Sequence, residues 1–143
     1  MVVDSGAQSS RPAAAAETLH VSIATSSRQA AGKKLALFVD VTPKPKMHLY
    51  APGEKDGLAV ALTIDPHPAL KPSPPSFPPP QKFFFAPLKL TQLVFSKPFR
   101  ITQDVMLATP SAPLTITGSL RYQACDDSVC YLPKTVPLEW TVR

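Results

Sequence analysis

Leu114-Thr115-Ile116-Thr117-Gly118-Ser119-Leu120-Arg121-Tyr122 alternates apolar and polar or small side chains at every step. Successive side chains of a strand point to opposite faces, so this stretch reads as a half-buried β-strand. It runs directly into Gln123-Ala124-Cys125-Asp126-Asp127-Ser128-Val129-Cys130-Tyr131-Leu132-Pro133, which holds the only two cysteines of the chain. Thr135 to Val142 then reads as a strand that closes the domain. A strand, a cysteine-bearing tight turn and a second strand define an all-β chain.

Working outward, the same period recurs and helical periodicity does not. Leu19 to Ala24, Lys34 to Val41, Leu58 to Ile64, Leu90 to Phe95 and Phe99 to Leu107 read as further strands. Between Pro66 and Pro80 the chain is Pro-rich, and this stretch is expected to be an extended, polyproline-like connection. The 143 residues include 18 Pro and only 5 Gly, which excludes long helices and favours short strands joined by stiff loops. Hydrophobic residues make up 44 %, enough for one ordinary domain to bury a core without disulfide staples. Seven or more short strands with turn signals between them indicate an antiparallel β-sandwich with immunoglobulin-like, Greek-key connections. It is not an antibody-type domain, because the two cysteines are near neighbours and the single Trp140 follows both.

Residues 1–18 are Ala/Ser-rich and are expected to be a flexible leader or an expression remnant, with the domain covering residues 19–143. No basic stretch followed by an apolar run marks a signal peptide, so any such peptide is expected to be absent from this chain. No segment approaches the roughly 18 apolar residues of a membrane-spanning helix. The net charge of +5 is scattered rather than clustered, which reads as a solvated basic surface and not as a nucleic-acid site.

Four residues separate Cys125 from Cys130. Residues facing each other across an antiparallel pair lie within the separation that a disulfide requires. A bridge over a ring of about six residues would stabilise the fold by only roughly 2 kcal/mol in the loop-closure model. The spacing fits a fixed hairpin staple and a reversible dithiol equally. Asp126 and Asp127 disfavour a thiolate, Arg121 and Lys134 partly offset them, and neither a helix N-terminus nor a CxxC motif is present. If redox-active, the pair is therefore a passive relay that needs a more reactive partner. Asp126 and Asp127 also read simply as turn builders. Tyr122 and Tyr131 bracket the cysteines, and strand packing explains them as well as an interface does. Zinc would need four ligands, and His20, His48, His67, Asp126 and Asp127 form no paired motif. Copper held by the two cysteines with Met47 or Met106 is equally weakly supported. No metal and no cofactor is called for.

Gly118 to Pro133, followed by Thr135-Val136-Pro137-Leu138, resembles the N-terminal domain of the thiol:disulfide interchange protein DsbD. Met47-His48-Leu49-Tyr50-Ala51-Pro52 and Phe99-Arg100-Ile101-Thr102 extend the resemblance over most of the chain from Leu19 to Val142. It implies a periplasmic immunoglobulin-like domain acting as a protein-disulfide reductase. Such a domain takes electrons from a thioredoxin-like donor domain fed by a transmembrane module. It passes them to oxidised disulfide isomerases or to thioredoxin-like acceptors of cytochrome c maturation. By the same resemblance Cys125 and Cys130 are the redox pair, Cys130 forms the mixed disulfide and Cys125 resolves it. His48 and Tyr50 take aromatic positions that flank the pair.

The family shields its disulfide with a mobile cap loop carrying an aromatic residue. Lys82-Phe83-Phe84-Phe85-Ala86-Pro87 is the candidate here, with Phe84 or Phe85 favoured over Phe83 as the capping ring. The chain departs from the best-known member in having one residue fewer between its cysteines and no acidic residue in the cap. The expected state is a monomer, joined to the membrane only through flanking domains missing from this chain. The rival reading is a non-enzymatic immunoglobulin-like binding module with a structural hairpin disulfide.

Overall fold

The structure, a computed structural model, describes residues 15–29, 32–55, 57–108 and 113–142. The expected leader lies, for residues 1–14, outside the described residues. Twelve strands follow in order: β1 (Ala15–Glu17), β2 (Val21–Gln29), β3 (Lys34–Pro43), β4 (His48–Tyr50), β5 (Ala61–Ile64), β6 (Leu70–Pro72), β7 (Gln81–Phe85), β8 (Leu90–Phe95), β9 (Phe99–Leu107), β10 (Leu114–Tyr122), β11 (Ala124–Cys125) and β12 (Lys134–Val142). No helix occurs among the described residues. Three antiparallel sheets result, ordered β1-β2-β3-β9-β6, β12-β10-β5 and β11-β4-β8-β7.

Strict alternation of buried and exposed positions runs through β3, β9, β10 and β12, as the period-two sequence pattern requires. The inward residues of all three sheets meet in one core that includes Leu35, Leu37, Val39, Ile101, Ile116, Leu120, Tyr122 and Trp140. Trp140 donates its indole N–H to the Phe38 carbonyl of β3 at 3.1 Å, which ties β12 across to the larger sheet. Pro137 is tolerated in β12 because β12 is an edge strand. At Gly118 a side chain would drive into the Thr63 carbonyl of β5, so only glycine lets β10 and β5 approach this closely.

The structure differs from the sequence reading at several places. The leader does not reach residue 18: Ala15–Glu17 pair with β2, and Thr18 builds the turn that follows, its hydroxyl accepting from the His20 and Val21 amides at 3.1 and 3.0 Å. That turn delays the strand expected from Leu19 until Val21. The strand expected over Leu58 to Ile64 begins only at Ala61. The Pro-rich connection holds strand β6, which pairs with β9, and it stays bonded to β9 beyond that strand. Its non-proline positions do the donating, Ser73 to the Asp104 carbonyl at 2.9 Å and Ser76 to that of Thr102 at 2.8 Å. Proline has no N–H to give, so this segment is confined to the sheet edge.

Candidate functional site

The cysteine segment folds as its turn residues dictate. Cys125 and Cys130 face each other as an antiparallel bridge and form a disulfide, with Cα atoms 4.0 Å apart. Asp126 closes the turn between them. One of its carboxylate oxygens accepts from the Ser128 and Val129 amides, both at 2.8 Å, and the other from the Tyr131 hydroxyl at 2.6 Å. These three bonds, that of Tyr131 foremost, hold the Asp126 carboxyl down at about 2, and Asp126 in turn pushes the Tyr131 phenol up. The two cysteines are not equivalent. Cys125 is 0 % exposed, whereas Cys130 lies at the surface beside the exposed side chains of Val129 and Leu132.

Strand register decides what lies under the disulfide. Cys125 pairs with His48, Tyr50 with Val94, and Gln92 with Phe83. Side chains alternate across a sheet, so these six residues share one face of the sheet β11-β4-β8-β7. Ala124, Leu49, Leu93 and Phe95 occupy its other face and belong to the main core. Tyr50, Val94 and Cys125 form a separate buried cluster, with Phe83 packed against it. The Tyr50 hydroxyl lies 3.2 Å from the Cys130 sulfur, and since a disulfide sulfur has no proton, the hydroxyl is the donor. Gln92 donates to the same hydroxyl from its amide nitrogen at 3.3 Å.

Gly57 lies against the Tyr50 ring, where any side chain would overlap the ring atoms. Gln123 holds this covering segment in place, its side-chain oxygen accepting from the Leu58 amide at 3.0 Å and its nitrogen donating to the Tyr131 carbonyl at 3.1 Å.

His48 is buried, with its ring 4.2 Å from that of Phe83 and with Nε2 lacking a hydrogen-bond partner among the described residues. Burial pushes its pKa down, against the opposing pull of Asp127 and Asp126, so the ring is neutral at neutral pH.

The candidate residues therefore divide. Cys125, Cys130, His48, Tyr50 and Phe83 come together at the disulfide. Asp126 and Tyr131 brace its turn, and Asp127 is exposed on that turn. Tyr122 points into the main core instead, its hydroxyl 2.8 Å from that of Thr18 and 3.1 Å from His20 Nδ1. The candidate cap is not a loop but strand β7, in a hairpin with β8. Alternation along it corrects the favoured rings: Phe84 faces away from the disulfide and is exposed, Phe85 is buried 6.5 Å from Phe83, and Phe83 is the ring in the sulfur cluster. Gln92 and Gly57 were not marked by the sequence, since a polar residue within an alternating strand and a lone glycine in a loop are both unremarkable there. Among the described residues no three His, Cys, Asp or Glu side chains cluster closely enough to hold a metal ion.

Comparison with known proteins agrees with this architecture. The family model of the N-terminal region of the thiol:disulfide interchange protein DsbD matches residues 15–139. No curated protein matches the sequence. Among solved structures, the N-terminal periplasmic domain of ScsB from Proteus mirabilis superposes with a TM-score of 0.60 at 14 % identity, covering 85 % of this chain. The chain spans 46 % of that ScsB chain. The reduced DsbD N-terminal domain from Neisseria meningitidis superposes with a TM-score of 0.55 at 18 % identity, covering 84 % of each chain.

Proposed function

We propose, from the premise that this chain belongs to the family of the N-terminal domain of the thiol:disulfide interchange protein DsbD, that Cys125 and Cys130 are its exchanging pair. The single immunoglobulin-like domain then works in the periplasm as a two-electron relay. It accepts electrons from a thioredoxin-like donor and passes them to oxidised thioredoxin-like or isomerase-type acceptors. The observation that carries this reading is the asymmetry of the two cysteines, Cys130 exposed and Cys125 wholly buried.

Exchange proceeds by in-line attack of a thiolate on a disulfide sulfur. A donor thiolate reaches Cys130 Sγ, forms a donor–Cys130 disulfide and breaks the Cys125–Cys130 bond, whose electron pair stays on Cys125. The donor's second thiolate then attacks its own first sulfur and closes the donor's disulfide. The electron pair of the broken bond remains on Cys130. In the second half, the Cys130 thiolate attacks an acceptor disulfide. Cys125 next attacks Cys130, restores the original bond and releases the acceptor as a dithiol. Two electrons have moved, and protons taken up by the domain's thiols on reduction are given back on oxidation.

Phe83 and the covering Gly57–Leu58 segment flank the cluster beneath the bond, which leaves Cys130 as the point of attack. His48, neutral beside Cys125, offers the buried thiolate a nearby polar group. The interface with each partner should be small and short-lived, since a relay must release both.

The test is trapping of mixed disulfides. Cys125→Ser leaves the exposed nucleophile without a resolving thiol and should accumulate a covalent complex with a thioredoxin-like partner. Cys130→Ser leaves only a buried thiol and should trap none. Equal trapping by the two variants would overturn the assigned roles. A reduction potential below about −300 mV, where structural disulfides lie, would make the bond a staple and the domain a binding module.

A further inference from the structure

Gln92 is a wholly buried amide on a face that already contains a redox bond, with 0 % of its surface exposed. It lies on that face with Val94 and Tyr50, opposite Phe83, where an apolar side chain would pack without desolvating an amide. Its Oε1 finds no partner among the described residues. One hydrogen bond accounts for it, from Nε2 to the Tyr50 hydroxyl at 3.3 Å.

That bond has a directional consequence. A phenol has a single proton and accepts through its lone pairs. The Gln92 N–H engages a lone pair of that oxygen, and across the 3.2 Å contact to the Cys130 sulfur, which has no proton of its own in the disulfide, the hydroxyl is the donor. Gly57 against one side of the ring keeps the hydroxyl from swinging out. The carboxylate in the same turn, Asp126, is ionised and repels a thiolate, so a neutral donor aimed at sulfur is the favourable contact that the site provides.

We propose that Gln92 is a positioning residue: it orients the Tyr50 hydroxyl so that its proton is donated to the Cys130 sulfur, favouring the thiolate on Cys130 over that on Cys125. This inference rests on the exchange reading above and deepens it. When Cys130 leaves the donor mixed disulfide, the electron pair that stays on its sulfur meets an already aligned O–H. The exposed cysteine is thereby kept as the nucleophile toward the acceptor. Tyr50 touches the reacting atom; Gln92 acts through Tyr50.

The experiment titrates the Cys130 thiol by carbon NMR of isotope-labelled cysteine, in the Cys125→Ser full chain where it is the only thiol. Tyr50→Phe should lower the thiolate fraction at neutral pH about tenfold, and Gln92→Leu about threefold, the scale of one and of part of one charge-assisted hydrogen bond. In the Tyr50→Phe background, Gln92→Leu should add nothing. A Gln92→Leu titration matching the parent's would overturn the inference. So would an equal shift with and without the Tyr50 hydroxyl, which is the mark of a purely structural role. If Gln92→Leu fails to fold, Gln92→Met keeps length and volume and carries the same two outcomes. Mixed-disulfide trapping is read separately, so a chain that titrates as expected but traps no partner would sink the relay and leave the Gln92 contact standing.

Discussion

The sheet β11-β4-β8-β7 has two faces built by the same strands but governed by different rules. On one, Ala124, Leu49, Leu93 and Phe95 merge into the main core, and Phe95 stacks on Phe99 with ring centres 4.1 Å apart. On the other, His48, Tyr50, Gln92 and Phe83 share the face of the disulfide, and among the described residues two buried polar atoms, His48 Nε2 and Gln92 Oε1, lack partners. The first face is what folding favours: apolar, close-packed and fully satisfied. The second retains buried polar atoms that an apolar face would not have to desolvate. The difference teaches that stability and chemistry are separated by a single residue step along β4, with Leu49 serving one and His48 and Tyr50 the other.

The largest expected effect tests that separation from the core side. Phe95→Ala should cost about 3–5 kcal/mol in denaturant unfolding, the usual result of emptying a buried aromatic site. The exchange rate per folded molecule should stay near that of the parent. A matching loss of exchange would show that the two faces are coupled through the strand and would break the comparison.

Gly57→Ala tests it from the site side. The added methyl would overlap the Tyr50 ring, and overpacking of this kind costs about 1–3 kcal/mol. Here the exchange rate should fall along with stability, because the ring that carries the hydroxyl must move away from Cys130. Loss of stability with exchange kept intact would show that the position of Tyr50 does not matter to the chemistry.

Reducing the bond should cost less than emptying the core. With a sequence separation of 5 between the cysteines, the closed ring is short, and the loop-closure model gives roughly 2 kcal/mol. Comparing unfolding of the oxidised chain with that of Cys125→Ser plus Cys130→Ser measures it. A loss as large as that from Phe95→Ala would mean that the disulfide is part of the structural core.

The core face was largely legible in the sequence and the site face only partly so. Alternation in Leu114 to Tyr122 and Phe99 to Leu107 announces which side chains go inward, because burial on one face imposes a period of two. Cys125, Cys130 and Tyr50 could be named because cysteine and a resembling motif stand out by type. The Phe83-Phe84-Phe85 run could not be resolved. Which ring reaches the sulfur depends on the register of β7 against β8, and that register is a tertiary fact. Gln92 left no mark for the same reason: a glutamine in a strand is ordinary until pairing places it behind Tyr50. The Pro-rich stretch hid a strand for a related reason, since β6 and the two serines that follow it bond to β9, and only pairing reveals that.

Acid should reveal the smallest difference. His48 on the site face and His20 beside Tyr131 both have pKa values lowered, in each case chiefly by burial. A histidine whose folded pKa lies below the unfolded value near 6.5 contributes stability above that value. The contribution is lost as pH falls through the folded pKa, because the unfolded chain takes up the proton first. Asp126 acts later, its contribution present above the ordinary aspartate value of 3.8 and lost as pH falls toward about 2. Stability measured by denaturant unfolding should therefore decline in two stages, first below about pH 6.5 and then below about pH 4. His48→Phe should flatten the first stage in part, with His20 supplying the remainder. A first stage unchanged by His48→Phe would mean that the imidazole beside Cys125 can be charged in place, and that the site face is wetter than the core face behind it.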